Sequence, residues 1–453
     1  MSSLFEKYDV AGPRYTSYPT VPYWETAPTE SQWIAALNDE LAASTQNNRG
    51  AAIYVHLPFC EALCTFCACN KIITKNHSRA RPYIETVKRE WSLYLKKLGA
   101  QKIRVAEIHL GGGTPTFMSP RELEDLLSNL FLGMAPTPDI RMSFESDPRV
   151  TTDDHLKTLY SLGFRRISLG VQDYDPAVQD MINRVQSAEL VSSLTDTARA
   201  VGYTGVNYDL VYGLPRQTLG GIEKTITQVI AQRPDRIAFY AYANVPWLGK
   251  TGQRKFTDVD VPAGAAKRAL YERGREMFLA AGYMEIGMDH FALPQDELAT
   301  AMRERTLFRN FMGYTSHHVS PMIGLGVSAI GDAWTCFAQN EKDLTAYTTR
   351  IAADELPIAR GHRLTQEDLI LRRHILNLMT QFETSWDTKT FTDSMHNLAQ
   401  LLMEFANDNL VKMAPDAICL TESGRPFLRN ICMAFDARLQ RRQPDAPIFS
   451  KTI

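Results

Sequence analysis

Six short β-rich runs constrain this chain most: AAIYVHL (51–57), VAEIHLG (105–111), IRMSFES (140–146), RRISLGV (165–171), GVNYDLV (205–211) and RIAFYAYA (236–243). Helical patterns lie between them. In 81–98, Tyr83, Ile84, Val87, Trp91, Leu95 and Leu98 recur every three or four positions and make one face apolar. Ser119, Pro120 and Glu122 in SPREL form an N-cap, first position and capping box, and TTDDHL and LTQEDLI read as further helix starts. Strand then helix, repeated, requires parallel strands joined by right-handed crossovers. The expectation is an α/β chain with an open or partial (β/α) barrel over 51–340. Residues 1–50 read as an N-terminal arm and 341–453, opening with LILRRHILNLMTQF, as a mainly helical C-terminal domain. The basic stretch ARLQRRQPDAPIFS (437–450) reads as a solvated tail.

Forty-nine basic residues against 51 acidic give a net charge of −2, so no overall field favours nucleic acid or an anionic membrane. No apolar run of about 18 residues is present, and MSSLFEKYDV has neither the basic end nor the apolar core of a signal peptide. A cytoplasmic protein is expected. In that reducing compartment clustered cysteines point to metal or redox chemistry.

Four of the seven cysteines fall within HLPFCEALCTFCACN (56–70). Cys336, Cys419 and Cys432 are scattered and read as small core residues. The cluster admits four readings. A zinc site would want a second cysteine pair at a distance. A four-thiolate iron–sulfur site would need both Cys67 and Cys69, one residue apart, to reach irons of one cube. A purely structural cluster is the third. The fourth takes Cys60, Cys64 and Cys67 as ligands, Cys-x3-Cys-x2-Cys, and leaves one iron open to a small molecule. This last reading is preferred.

Other candidates sit at strand exits, where function collects in parallel α/β folds. GGGTP (111–115) lets the backbone approach a ligand closely, and lacks the Lys-Ser/Thr ending of a phosphate loop. Glu145, Gln172, Arg184 and Asp209 follow the third, fourth and fifth runs, and Tyr54 and Phe66 offer aromatic surface or core packing. His290 in GMDHFA reads as a satisfied core histidine.

Cys-x3-Cys-x2-Cys resembles the signature of the radical S-adenosylmethionine (SAM) enzymes, in which three cysteines bind a [4Fe-4S] cluster and SAM completes the unique iron. AGPRYTSYPT (11–20), YVHLPFCEALCTFCACNK (54–71), HLGGGTPT (109–116), GVQD (170–173), DLVYGLP (209–215), GMDHFA (287–292), GVSAI (326–330) and FLRNICMAFD (427–436) follow in order along nearly the whole chain. Together they resemble the oxygen-independent coproporphyrinogen III oxidases. The resemblance implies a partial (β/α)6-type radical SAM barrel, a cluster on Cys60, Cys64 and Cys67, and two SAM molecules. Tyr54 and the loop glycine Gly112 would meet the first SAM, with Glu145 at its ribose or cationic end. Phe66, Gly113, Thr114, Gln172, Arg184, Asp209, Ala243 and Ile330 would line the second. Cys69 would stand beside the cluster rather than ligate it, and Arg14, in an arm that closes over the site, would meet a substrate propionate. A tetrapyrrole substrate, a flavodoxin- or ferredoxin-like electron donor and a monomer are also implied. GYTSHHVSPMIGLG (313–326) and SAIGDAWTCFAQN (328–340) depart from the family pattern on both sides of Ile330. They leave open a related radical SAM haem methyltransferase; a haem chaperone without turnover is a second alternative, and a simple iron–sulfur carrier, which would have no use for the GGGTP loop or a large barrel, is a third.

Overall fold

The computed structural model describes residues 2–243, 256–387, 398–442 and 448–452. All six expected runs are strands: β1 (Ala51–Leu57), β2 (Ile103–Gly112), β3 (Met134–Ser146), β4 (Arg166–Gln172), β5 (Gly205–Tyr212) and β6 (Arg236–Ala241). Shorter strands follow as β7 (Met284–Ile286), β8 (His290–Ala292), β9 (Met322–Leu325), β10 (Ile330–Asp332), β11 (Cys336–Asn340) and β12 (Ile358–Arg363). They form one twelve-stranded sheet in the order β12-β11-β10-β9-β1-β2-β3-β4-β5-β6-β8-β7. Strand β1 is parallel to both β9 and β2, and the parallel pairing runs on to β6. Strands β10–β12 and β7–β8 extend the sheet antiparallel at its two ends. The two edge strands do not pair, so the barrel is open.

The strand sequences are not uniformly apolar, because one face is covered and the other lines a lumen. Ile108, Leu110, Phe144, Ile167, Leu169, Val206, Leu210, Ile237 and Phe239 point outward into the main hydrophobic core. Alternate positions, among them His109, Ser143, Glu145, Ser168, Asn207, Asp209 and Tyr240, line an interior cavity. The sequence thus spends its apolar residues on the helix layer and its polar ones on the lumen.

That layer begins with α1 (Glu30–Gln46) and α2 (Ala80–Leu98), which bury Trp33, Ile84, Val87, Trp91 and Tyr94 against the sheet. Trp33 Nε1 donates to Tyr94 Oη at 3.1 Å, tying the two helices. The capping box expected at Ser119 opens α3 (Pro120–Leu132), and the start expected at TTDDHL opens α4 (Asp153–Ser161) with a capping box of Thr152 and His155. Thr365 does the same for α5 (Gln366–Gln381), with Asp368 as its partner.

Past residue 341 the large sheet still takes up β12 before the helical region begins. That region holds α5, helices Leu398–Asn407 and Leu428–Ala434, and a three-stranded sheet of Glu383–Ser385, Ala417–Leu420 and Val411–Ala414. Its separate core takes in Tyr8, Tyr15 and Tyr18 of the N-terminal arm. The solvated-tail expectation is corrected where residues are described: Ala437 and Leu439 are buried, and Arg438 pairs with Asp368 at 2.8 Å. Thr452 Oγ1 donates to Tyr8 O at 2.7 Å, so both chain ends close on this core. Residues 443–447 of that stretch lie outside the described residues. No described helix is long and apolar enough to cross a membrane.

Candidate active site

The cysteine loop leaves the carboxyl end of β1, and the GGGTP loop leaves the same end of β2 beside it. Three glycines are needed there for separate reasons. Gly111 lies against Tyr54 and Glu145, Gly113 against the Pro58 carbonyl, and a Cβ would come within 3.0 Å and 2.5 Å of them. Gly112 has φ +115°, and a Cβ on it would sit 2.7 Å from the His56 ring. Burial lowers the pKa of His56. Its Nε2–H donates to Asn70 O at 2.9 Å, which leaves Nδ1 to accept from the Tyr54 hydroxyl at 3.1 Å. One histidine thus joins β1, the far end of the cysteine loop and the glycine turn.

The four clustered cysteines are free, and each of the first three has a polar neighbour. Cys60 Sγ accepts from Thr114 Oγ1 at 3.3 Å, while burial pushes its thiol up to about 11. Cys64 Sγ faces Arg184 Nη1 at 3.6 Å and Arg149 Nη2 at 3.7 Å. Cys69 beside it and the Lys71 ammonium bring the Cys67 thiol down to about 6. The residue two beyond Cys67 thus stands beside that sulfur. Among the described residues, no three His, Cys, Asp or Glu side chains converge on a single ion position. In a cubane each thiolate binds its own iron, so such convergence is not required.

Glu145, at the end of β3, accepts the Gly112 amide at 3.1 Å and leaves its half-exposed carboxylate facing the lumen. Asp209 on β5 lines the same lumen. It accepts from Ser168 Oγ at 2.8 Å and Asn207 Nδ2 at 2.9 Å, and burial raises it to about 6. Gln172 ends β4 with φ 67°, its amide beside Gly170. Arg184 is buried and donates to Gly170 O at 2.7 Å and Asp147 at 3.0 Å. Direct contacts thus tie Tyr54 and Glu145 to the glycine turn, Cys60 to Thr114 and Cys64 to Arg184.

The remaining candidates stand further out. Phe66 packs with Val178, Ile182, Val211, Leu214 and Tyr242. Ala243 lies two residues past β6, and Ile330 opens β10 opposite Gln339. Arg14 crosses the end of β6, donating to Ala241 O at 2.6 Å with Asp289 at 3.6 Å. His290 is buried, but it is not the satisfied core histidine expected: its Nδ1 has no partner.

Asp147, Arg149 and His56 escaped the sequence reading. The first two follow Glu145 in ESDPR, where a run of charge just past a strand end was the available signal. His56 sits among apolar strand residues and gave none.

Residues 54–229 match the Radical SAM superfamily. Radical SAM enzymes use a [4Fe-4S] cluster and SAM. The oxygen-independent coproporphyrinogen III oxidase of Pseudomonas aeruginosa is 39% identical over 446 residues, covering 97% of this chain and 96% of that protein. Its counterpart in Escherichia coli is 37% identical over 447 residues, with the same coverage. The solved structure of coproporphyrinogen III oxidase from Escherichia coli, described as a radical SAM enzyme, superimposes with a TM-score of 0.87 at 36% identity, covering 93% of this chain and 97% of that one. With identity this high along almost its entire length, the chain belongs to the oxygen-independent coproporphyrinogen III oxidase family of radical SAM enzymes.

Proposed function

We propose that this enzyme oxidatively decarboxylates two propionates of coproporphyrinogen III to vinyl groups, giving protoporphyrinogen IX without oxygen. At each propionate one hydrogen atom leaves the β-carbon, and the carboxylate departs as carbon dioxide while the remaining electron passes to a one-electron acceptor outside the protein. The observation that carries this reading is the free Cys60–Cys64–Cys67 loop set against a glycine turn in which a Cβ would collide.

The residues fit the cofactors. Three free thiols, each with a polar neighbour, suit three cubane irons and leave a fourth open. The glycine turn lets a ligand reach the backbone. When bound, the cluster and SAM supply the electron and the hydrogen-abstracting carbon radical; the protein binds, orients and shelters them. Tyr54, Gly112 and Glu145 hold the first SAM, with Glu145 fixed in place by the Gly112 amide it accepts. Phe66, Gly113, Thr114, Gln172, Arg184, Asp209, Ala243 and Ile330 form the pocket for a second. Asp209 suits a ribose hydroxyl or an ammonium, because Ser168 and Asn207 fix its orientation. Cys69 stands beside Cys67 and supports the cluster without ligating it.

Arg14 spends one N–H on Ala241 O and leaves others toward a neighbouring cavity, which suits a substrate propionate. The enzyme acts as a cytoplasmic monomer that takes electrons from a flavodoxin- or ferredoxin-like protein, since starting the chemistry takes a low-potential electron and four clustered free thiols suit a reducing compartment.

Reconstituting the cluster anaerobically and supplying SAM, reductant and coproporphyrinogen III tests the proposal. Deoxyadenosine, carbon dioxide and the divinyl product are expected together by mass spectrometry. Cluster formation with a methylated tetrapyrrole, or with tight haem binding and no turnover, would overturn it.

A further inference from the structure

We infer that Arg149 is a positioning residue for the cluster: together with Arg184 it presents a cationic face to Cys64 and raises the cluster's reduction potential. The inference rests on the reading that Cys60, Cys64 and Cys67 hold that cluster.

The three sulfurs do not have equivalent surroundings. Cys60 meets a neutral hydroxyl, from Thr114 at 3.3 Å, and Cys67 has Cys69 beside it and the Lys71 ammonium on its backbone carbonyl at 2.8 Å. Cys64 alone meets two guanidinium groups, at 3.6 and 3.7 Å. Both are anchored by the same carboxylate. Arg149 Nε donates to Asp147 Oδ1 at 3.0 Å and Arg149 Nη2 to Oδ2 at 2.6 Å. Arg184 Nη1 reaches that Oδ2 at 3.0 Å and is held from behind by Gly170 O at 2.7 Å. Two guanidinium charges against one carboxylate leave a net single positive charge fixed at the sulfur. Arg149 uses its fork on Asp147 and still points one N–H at Cys64, a geometry that a lysine ammonium cannot reproduce.

Buried positive charge and N–H donors stabilise the more negative, reduced form of a thiolate-bound cluster. The sign follows. Removing Arg149 withdraws one charge and one donor and leaves Asp147 less neutralised. Both changes make the cluster harder to reduce. Arg184 lies in the proposed second SAM pocket, so Arg149 is the better probe of this effect alone.

The test uses the reconstituted full-length enzyme in an EPR-monitored redox titration, with iron content and thermal unfolding measured beside it. Arg149→Met should bind iron like the parent, with a lower unfolding temperature because Asp147 loses a partner, while its potential shifts to more negative values, and Arg149→Lys should fall between the two. Equal potentials at full iron loading would overturn the inference. Should Arg149→Met fail to load, Arg149→Lys decides: an unchanged or more positive potential refutes the role, and a negative shift supports it. A parent protein that forms no [4Fe-4S] signal would instead sink the site assignment on which this rests.

Discussion

Glu90 is fully buried on α2, and its carboxyl accepts from three donors. The Tyr347 hydroxyl at 2.6 Å and the Gly326 amide at 2.7 Å share Oε2, while Asn340 Nδ2 reaches Oε1 at 2.7 Å. These bonds fix the start of the segment that runs from Gly326 to Ile330. Glu90→Gln can keep the first two by placing its carbonyl at Oε2, but its own NH2 then faces that of Asn340. A donor left unsatisfied in a dry site costs about 1–3 kcal/mol. The acid–base balance adds a second signature. Burial raises Glu90 to about 7 from 4.5, a difference of about 2.5 units or about 3 kcal/mol. A carboxyl raised in the folded state contributes its full stability below the unfolded pKa and loses it as pH climbs through the folded one. The parent should therefore lose about 3 kcal/mol more than Glu90→Gln between pH 4.5 and pH 8, with the change centred between 4.5 and 7. Denaturant unfolding at half-unit pH steps measures this. Parallel curves for parent and variant would refute the reasoning.

Alanine at Cys60, Cys64 or Cys67 should abolish cluster binding in iron analysis, whereas Cys69→Ala should keep the iron and lose activity by roughly 10- to 100-fold. Gly112→Ala meets both a positive φ and the His56 ring, so it should lose about 1–3 kcal/mol in thermal unfolding and weaken SAM binding by calorimetry. Asp209 is raised to about 6, so SAM affinity should climb as pH rises through 6 and then level off. In Asp209→Asn that rise should be absent.

The strands were legible because each run is short and rich in β-branched or aromatic residues, and the helices because Ser119, Thr152 and Thr365 carry caps that local chemistry alone dictates. The cysteine and glycine loops were legible from spacing. What the sequence concealed was long-range. The Asp147–Arg149–Arg184 bracket joins positions 37 residues apart, and nothing local to Arg184 announces its partner. The end of the chain misled for a similar reason: its basic composition matches a solvated tail, yet Arg438 meets a buried carboxylate 70 residues earlier. His56 reads as one polar residue in an apolar strand. Only the fold puts the Asn70 carbonyl and Gly112 against it.

Mössbauer spectroscopy of the iron-57 enzyme, before and after SAM, tests the central claim most directly. Three irons should hold thiolate-type parameters throughout while one changes when SAM is added. Four equivalent irons that ignore SAM would contradict it.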